Sequence, residues 1–329
     1  MTFQFLWALP PYKFQRLTGI THSQFEWLLQ FLNEDCAKRL KYKRSRSSPK
    51  KGLVMNCKLC VRGRLIMTLM RLRRGYPLED IAILFGISTS YASDIINTWI
   101  TFLWRQLSRL RQAMFVSRHT QSRQEKPTVF KQYDNLRCII DSSEVVIEVP
   151  ADLGMQGNTY SDYKGGCVMM FLLGISSWGG ISFISDAFEG SITDKELYKC
   201  SGIRNFLAPL DVVLADRGFV CQEEADEDMV VLLHPPFLKR RTHFTPEEEQ
   251  CTRDIAKARI YVEHVVRKMK CWKILKNYHN SMLPLLDQVL YICACLTNLQ
   301  PPHVGKKTAT DATEKLHFIF VLCCGHSAQ

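Results

Sequence analysis

The stretch Val212-Val213-Leu214-Ala215-Asp216-Arg217-Gly218-Phe219 constrains this chain more than any other. Small and branched apolar residues run straight into a carboxylate, and a glycine follows shortly after. A continuous apolar run bounded by a turn signal predicts a strand buried on both faces. Gly218 is expected to supply the sharp turn at its end. Asp216 then stands at the carboxyl end of a central strand, where open α/β sheets put their ligands. From this stretch alone, a turn or N-cap aspartate is an equally good account. Chemistry needs partner carboxylates elsewhere.

The second half of the chain supplies candidates. Arg137-Cys138-Ile139-Ile140-Asp141 is another short apolar strand ending in a carboxylate, and Val145–Val149 either continues it or begins the next. Val168–Ile175 and Gly180–Ile184, joined by Ser176-Ser177-Trp178-Gly179, read as a hairpin. Asp194–Phe206 reads as a helix and Met229–Leu233 as a strand, stopped by His234-Pro235-Pro236. Thr245, Pro246 and Glu248 form a capping box at a helix entry. The helix itself is predicted over Cys251–Lys273, with Ile255, Ala258, Val262, Val265, Met269 and Trp272 as its apolar stripe. Arg259, Glu263, Arg267 and Lys270 share another face. By spacing alone Glu263 is a salt-bridge partner of Arg259 and Arg267. If the strands of Asp141 and Asp216 are neighbours, both carboxylates emerge at one rim, and Glu263 joins them if its helix crosses there. Three carboxylates in one place repel each other unless cations neutralise them. Hard oxygen ligands suit Mg²⁺ or Mn²⁺, and two such ions suit phosphodiester cleavage.

The first half is helical. Leu17, Ile20, Phe25, Leu28, Leu29 and Leu32 recur at near-helical spacing behind Thr21 or Ser23 as caps. A basic stretch from Lys38 to Lys51 has no apolar period and reads as a loop that serves nuclear import, DNA backbone contact or mere linkage. Residues 76–96 have helix-turn-helix spacing. Pro77 suits a first helical position, Glu79 and Asp80 lie in the first turn, Ala82 is small at the crossing, and Gly86 supplies a positive φ. Ser88 caps the second helix, with Ala92 and Ile95 facing back. Ser88, Thr89, Ser90, Tyr91 and Ser93 are then the candidate DNA contacts, although a plain helical hairpin shares the spacing. The predicted domains are an N-terminal helical segment (1–37), a basic linker (38–57), a helix-turn-helix region (58–112), a linker (113–136), an α/β domain (137–302) and a patternless tail (303–329).

A net charge of +11 over 329 residues favours a polyanionic partner. The 13 cysteines are odd in number and without framework spacing, which predicts free thiols in a reducing compartment. No apolar run reaches membrane-span length, and no basic segment precedes Phe3–Leu9 as a secretory leader would require. Cys57-x-x-Cys60 lacks a second ligand pair at zinc spacing. His234, His243, His264 and His279 lack metal spacing altogether. Trp7, Trp27 and Trp99 are expected as core anchors. With no glycine-rich phosphate cradle, nucleotide hydrolysis is not expected.

Taken together, the segments Cys138–Glu144, Tyr160-Ser161-Asp162-Tyr163-Lys164, Gly190–Glu196, Leu214–Phe219 and Arg259–Glu263, with residues 64–100, resemble the DDE superfamily endonucleases, the transposase family of Harbinger-like elements. The resemblance runs from about residue 17 to 302 in family order. It implies an α/β fold with a ribonuclease H-like mixed sheet and flanking helices, preceded by an all-α helix-turn-helix region. It implies that Asp141, Asp216 and Glu263 are the catalytic and metal-binding triad for Mg²⁺ or Mn²⁺, against the salt-bridge account of Glu263. Lys239, Arg240, Arg241, Arg267 and Lys270, with Arg217 and Lys268, would hold phosphates of double-stranded DNA. Two departures stand out: Gly165, Gly166 and Cys167 replace polar residues usual in the family, and Arg62 and Arg64 stand where acids are common. Expected partners are duplex DNA, a separate DNA-recognition protein and further copies of the chain, in the nucleus and also the cytoplasm. The rival reading is a catalytically silent, transposase-derived DNA-binding or scaffold protein. A metal phosphoesterase for small substrates fits the charge and the helix-turn-helix less well.

Overall fold

Local capping signals set several helix starts in this protein. The computed structural model describes residues 3–42, 59–122, 126–162, 164–238, 241 and 243–300. Helix His22–Leu32 begins with a full capping box, in which Thr21 accepts from Gln24 N while Gln24 reaches back. Helix Thr89–Leu107 begins where the Ser88 side chain accepts from Tyr91 N. Helix Pro246–Met269 begins behind Thr245, whose backbone N donates to Glu248 at 2.9 Å while its hydroxyl accepts from Glu248 N at 3.2 Å.

The chain divides into two units, Met1–Arg109 with Lys270–Leu299, and Leu110–Met269 with Gln300–Gln329. The α/β domain expected at 137–302 therefore loses its last thirty-odd residues to the helical unit. In that unit, helix Leu286–Asn298 is buried through most of its length. It packs against Thr89–Leu107, and Tyr291 Oη donates to Leu107 O at 3.3 Å. Trp272, expected on the stripe of the preceding helix, lies beyond its end and is fully buried in the helical unit, where its indole N–H donates to Thr297 at 2.9 Å. The two helix-turn-helix helices are Leu78–Phe85 and Thr89–Leu107. Pro77 is the N-cap rather than the first helical residue. Gly86 adopts φ +65° with open space around it, so glycine is needed there for conformation and not for room. Ala82, Ala92 and Ile95 are buried at the crossing. Arg62 pairs with Glu26 and Arg64 donates to the Tyr42 hydroxyl, so both basic departures have partners inside this unit.

The second unit is built on a mixed sheet. Its strands are β1 (Leu136–Val146), β2 (Tyr160–Ser161), β3 (Gly166–Ile175), β4 (Ile181–Ile184), β5 (Phe188–Glu189), β6 (Val212–Leu214) and β7 (Val231–Leu233). Their order is β2-β3-β1-β6-β7, with β4 and β5 also on β3. β1 runs antiparallel to β3 and parallel to β6, and β6 is parallel to β7. The parallel interior explains the unbroken apolar run Val212–Ala215. The expected hairpin is β3–β4, and Gly166 and Cys167 pair with Ser161 and Tyr160, so that departure leaves strand pairing intact. Cys138, Ile140, Val213 and Ala215 point into one core with Leu197, Tyr198 and Ala225. Alternation turns Ile139, Asp141, Leu214 and Asp216 to the opposite face. Helix Pro246–Met269 packs on β1 and β3 through Ile255, Ala258, Val262, Val265 and Met269.

Three local expectations differ from the structure. Residues 113–136 carry short helices and bury Phe115 and Phe130, with Arg118 and Arg137 drawn onto the buried Asp211. The helix expected over 194–206 stops at Cys200, and a 3-10 turn follows a left-handed Gly202. Strand β7 starts later than expected because Met229 takes φ +55° in the preceding turn. The ten described cysteines are free thiols. Among the described residues, no helix is long and apolar enough to cross a membrane.

Candidate active site

The register of β1 and β6 determines where the two aspartates stand. Ile139 lies opposite Leu214. Two residues further on, Asp141 and Asp216 leave the same end of neighbouring parallel strands, about 5 Å apart in the sheet direction. Both side chains face the helix Pro246–Met269, and Arg259 reaches them from it. Its Nη1 is 2.9 Å from Asp216 Oδ1 and its Nη2 is 3.9 Å from Asp141 Oδ1. The Arg217 backbone N–H donates to Asp216 Oδ1 at 2.6 Å.

Glu263 lies one helical turn after Arg259, on an exposed position of the same helix. Among the described residues it makes no ion pair with Arg259 or Arg267, because Arg259 turns to the aspartates instead. Burial pushes the Asp141 carboxyl up to about 6; Arg259 opposes the shift, while Asp216, Asp194 and Glu263 add to it. Asp194 was not a sequence candidate. It looks like an ordinary first-turn acid behind the capping box of Thr193 and Glu196. Its carboxylate lies against Gly218, in the space a Cβ would fill. Gly218 does not take a positive φ. Its value is close approach, not the sharp turn expected of it. A sequence cannot display that approach, since it joins residues far apart in the chain.

Three other carboxylates thus act on Asp141. Among the described residues, no three His, Cys, Asp or Glu side chains stand in a metal-holding arrangement, and Arg259 lies between the two aspartates. The donor set is nevertheless all hard oxygen, the chemistry that Mg²⁺ and Mn²⁺ take.

The remaining candidates are dispersed. Ser88 and Ser90 are exposed and Thr89 and Ser93 half-buried at the start of Thr89–Leu107, while the Tyr91 ring packs edge-on against Tyr42. Arg241 pairs with Glu248 at 2.6 Å. Arg217 and Arg267 are exposed, and Lys268 and Lys270 half-buried. Lys239, Arg240, Tyr163, Cys57, most of the basic stretch from Lys38 to Lys51 and the tail 303–329 lie outside the described residues.

Comparison with known proteins gives matches to two segments of the chain. Residues 140–298 match the family model described as DDE superfamily endonuclease. Residues 57–109 match that of the helix-turn-helix of DDE superfamily endonuclease. A curated protein of Microchaete diplosiphon, described as a probable transposase for insertion sequence element IS702, is 22% identical over 270 residues, covering 82% of this chain and 87% of that protein. Two segments of the chain, 57–109 and 140–298, are thus similar to the helix-turn-helix and to the endonuclease domain of the DDE superfamily.

Proposed function

We propose that this protein is a divalent-metal-dependent DNA endonuclease of transposase origin, with Asp141, Asp216 and Glu263 as its triad. The observation that carries the reading is the pair of aspartates on neighbouring parallel strands, bridged by one guanidinium, with Glu263 one turn along the helix that covers them. Such crowding of like charge costs stability and is characteristic of functional sites. The strand order, with the first strand antiparallel to one neighbour and parallel to the other, supports a ribonuclease H-like sheet.

Asp141 and Asp216 would hold the ions and Glu263 would complete the set. Mg²⁺ or Mn²⁺, when bound, supplies Lewis-acid activation and neutralises charge at the scissile phosphate. The chain's own contribution is placement. The sheet fixes two carboxylates at one rim, and the long helix carries Glu263 one turn beyond the arginine that bridges them. Arg217 and Arg267, both exposed, offer guanidinium groups to phosphates. The helix-turn-helix would engage duplex DNA through the start of Thr89–Leu107, with Harbinger-like transposases as the nearest functional analogy and the nucleus as the site of action. A separate DNA-recognition protein would add sequence choice.

The test is cleavage of duplex DNA in Mg²⁺ or Mn²⁺ by wild type and Asp216→Asn. Metal-dependent nicking by the wild type alone is expected. Equal cutting by both proteins would remove Asp216 from the site, and no cutting by either would favour a DNA-binding protein without catalysis.

A further inference from the structure

Charge around the aspartate rim does not balance. Asp216, Asp194 and Glu263 all raise the Asp141 carboxyl there, after burial as the main cause. Among the described residues, Arg259 is the one cationic side chain paired with any of them. A guanidinium keeps its charge at any pH a folded protein survives, so this cation cannot be removed by deprotonation.

Its geometry is also unusual for a structural arginine. A guanidinium that binds one carboxylate as a fork satisfies two N–H groups in parallel. Arg259 instead splits its terminal nitrogens, one to each aspartate, at 2.9 and 3.9 Å. Its Nε is shielded from solvent and has no hydrogen-bond partner. The side chain is a bridge with an unmet donor, not a saturated clamp. Both aspartate atoms it touches are the oxygens that a hard cation would take. A divalent ion sits about 2.1 Å from such oxygens. A guanidinium this close to both carboxylates and a cation held by them repel each other, so each weakens the other's hold.

We infer that Arg259 is a positioning residue that acts as an internal counterion: it holds Asp141 and Asp216 at one rim in the ion-free protein and yields their oxygens when divalent ions bind. The inference rests on the triad reading above and adds a competition that the reading does not require. Ion binding and the arginine bridge oppose each other. By linkage, whatever stabilises the bridge weakens the ion by the same factor.

Calorimetric titration of the full chain with Mn²⁺ tests this, comparing wild type, Arg259→Gln, Arg259→Lys and Asp216→Asn. Gln keeps bulk and polarity but removes the competing charge. Its Mn²⁺ affinity should rise about tenfold, within the range common for coupled sites. Lys carries a compact charge that reaches one carboxylate at a time, and its affinity should fall between the two. Melting in chelator should show Arg259→Gln below wild type, and added Mn²⁺ should raise its melting temperature by more than it raises that of wild type. An affinity in Arg259→Gln equal to or weaker than wild type overturns the counterion role, as does an Arg259→Lys affinity no tighter than wild type should the Gln variant not fold. If Asp216→Asn binds Mn²⁺ as wild type does, or neither binds it, the triad reading fails as well.

Discussion

Replacing Asp141 with asparagine should make the metal-free protein more stable while removing its cleavage activity. The Asp141 carboxyl is shifted from 3.8 to about 6, chiefly by burial. At pH 7 the folded protein therefore holds a charge that the unfolded chain holds at no cost. A shift of about 2 units at about 1.4 kcal/mol each amounts to about 3 kcal/mol. Asparagine mimics the neutral acid, keeps the shape and removes the penalty. The sign follows from proton linkage: the folded state binds this proton more tightly than the unfolded state, so wild-type stability falls as pH rises between 3.8 and about 6. Urea unfolding followed by circular dichroism in chelator, at several pH values, should find Asp141→Asn more stable at pH 8. The gap should narrow below about 6 and close near 3.8. A variant less stable than wild type at pH 8, or a gap that ignores pH, would refute the reasoning.

Asp211→Asn should cost about 3 kcal/mol in urea unfolding, because Arg118 and the buried Arg137 then lose their shared carboxylate; an unchanged midpoint would show that neither pair matters. Gly190→Ala should cost about 2–3 kcal/mol, since its Cβ would collide with the carbonyl oxygens of Thr159 and Val168, both backbone atoms that cannot step aside. Wild-type melting behaviour in that variant would contradict the close approach. Duplex DNA affinity should fall with salt, with a slope of about −5 in log–log form if about six phosphates are neutralised; a flat salt dependence, read by fluorescence anisotropy, would argue against backbone contact.

Elements whose determinants are local were legible in the sequence. Thr21, Ser88 and Thr245 cap where their spacing says they should, and Gly86 turns where a glycine was required. The stripe Ile255 to Met269 is buried as its period demanded. What could not be read depends on contacts between distant residues. Trp272 fits the helical period yet leaves the helix. Arg118 and Arg137 gather on Asp211 across some 90 and 70 residues of sequence, which turns an apparent linker into packed structure. At the site, Asp141 and Asp216 were visible as strand-ending carboxylates. Asp194 was not, since a first-turn acid is common and only the fold shows it resting on Gly218. Arg259 was visible, but its spacing pointed to Glu263 and not to the aspartates.

The return of Lys270–Leu299 to the helical unit has a consequence for the order of synthesis. Domains commonly fold as units while the chain is still being made, the earlier one first. Here the helix-turn-helix helices are translated early, but Leu290, Ile292, Ala294 and Leu296, buried in the same unit, are translated only after the sheet. The whole sheet, Leu136 to Leu233, emerges from the ribosome in between. A nascent chain can therefore complete its sheet before its helix-turn-helix has a finished core to stand on. A termination within Leu286–Asn298 would leave a polypeptide with both aspartate strands in place and an unfinished helical unit.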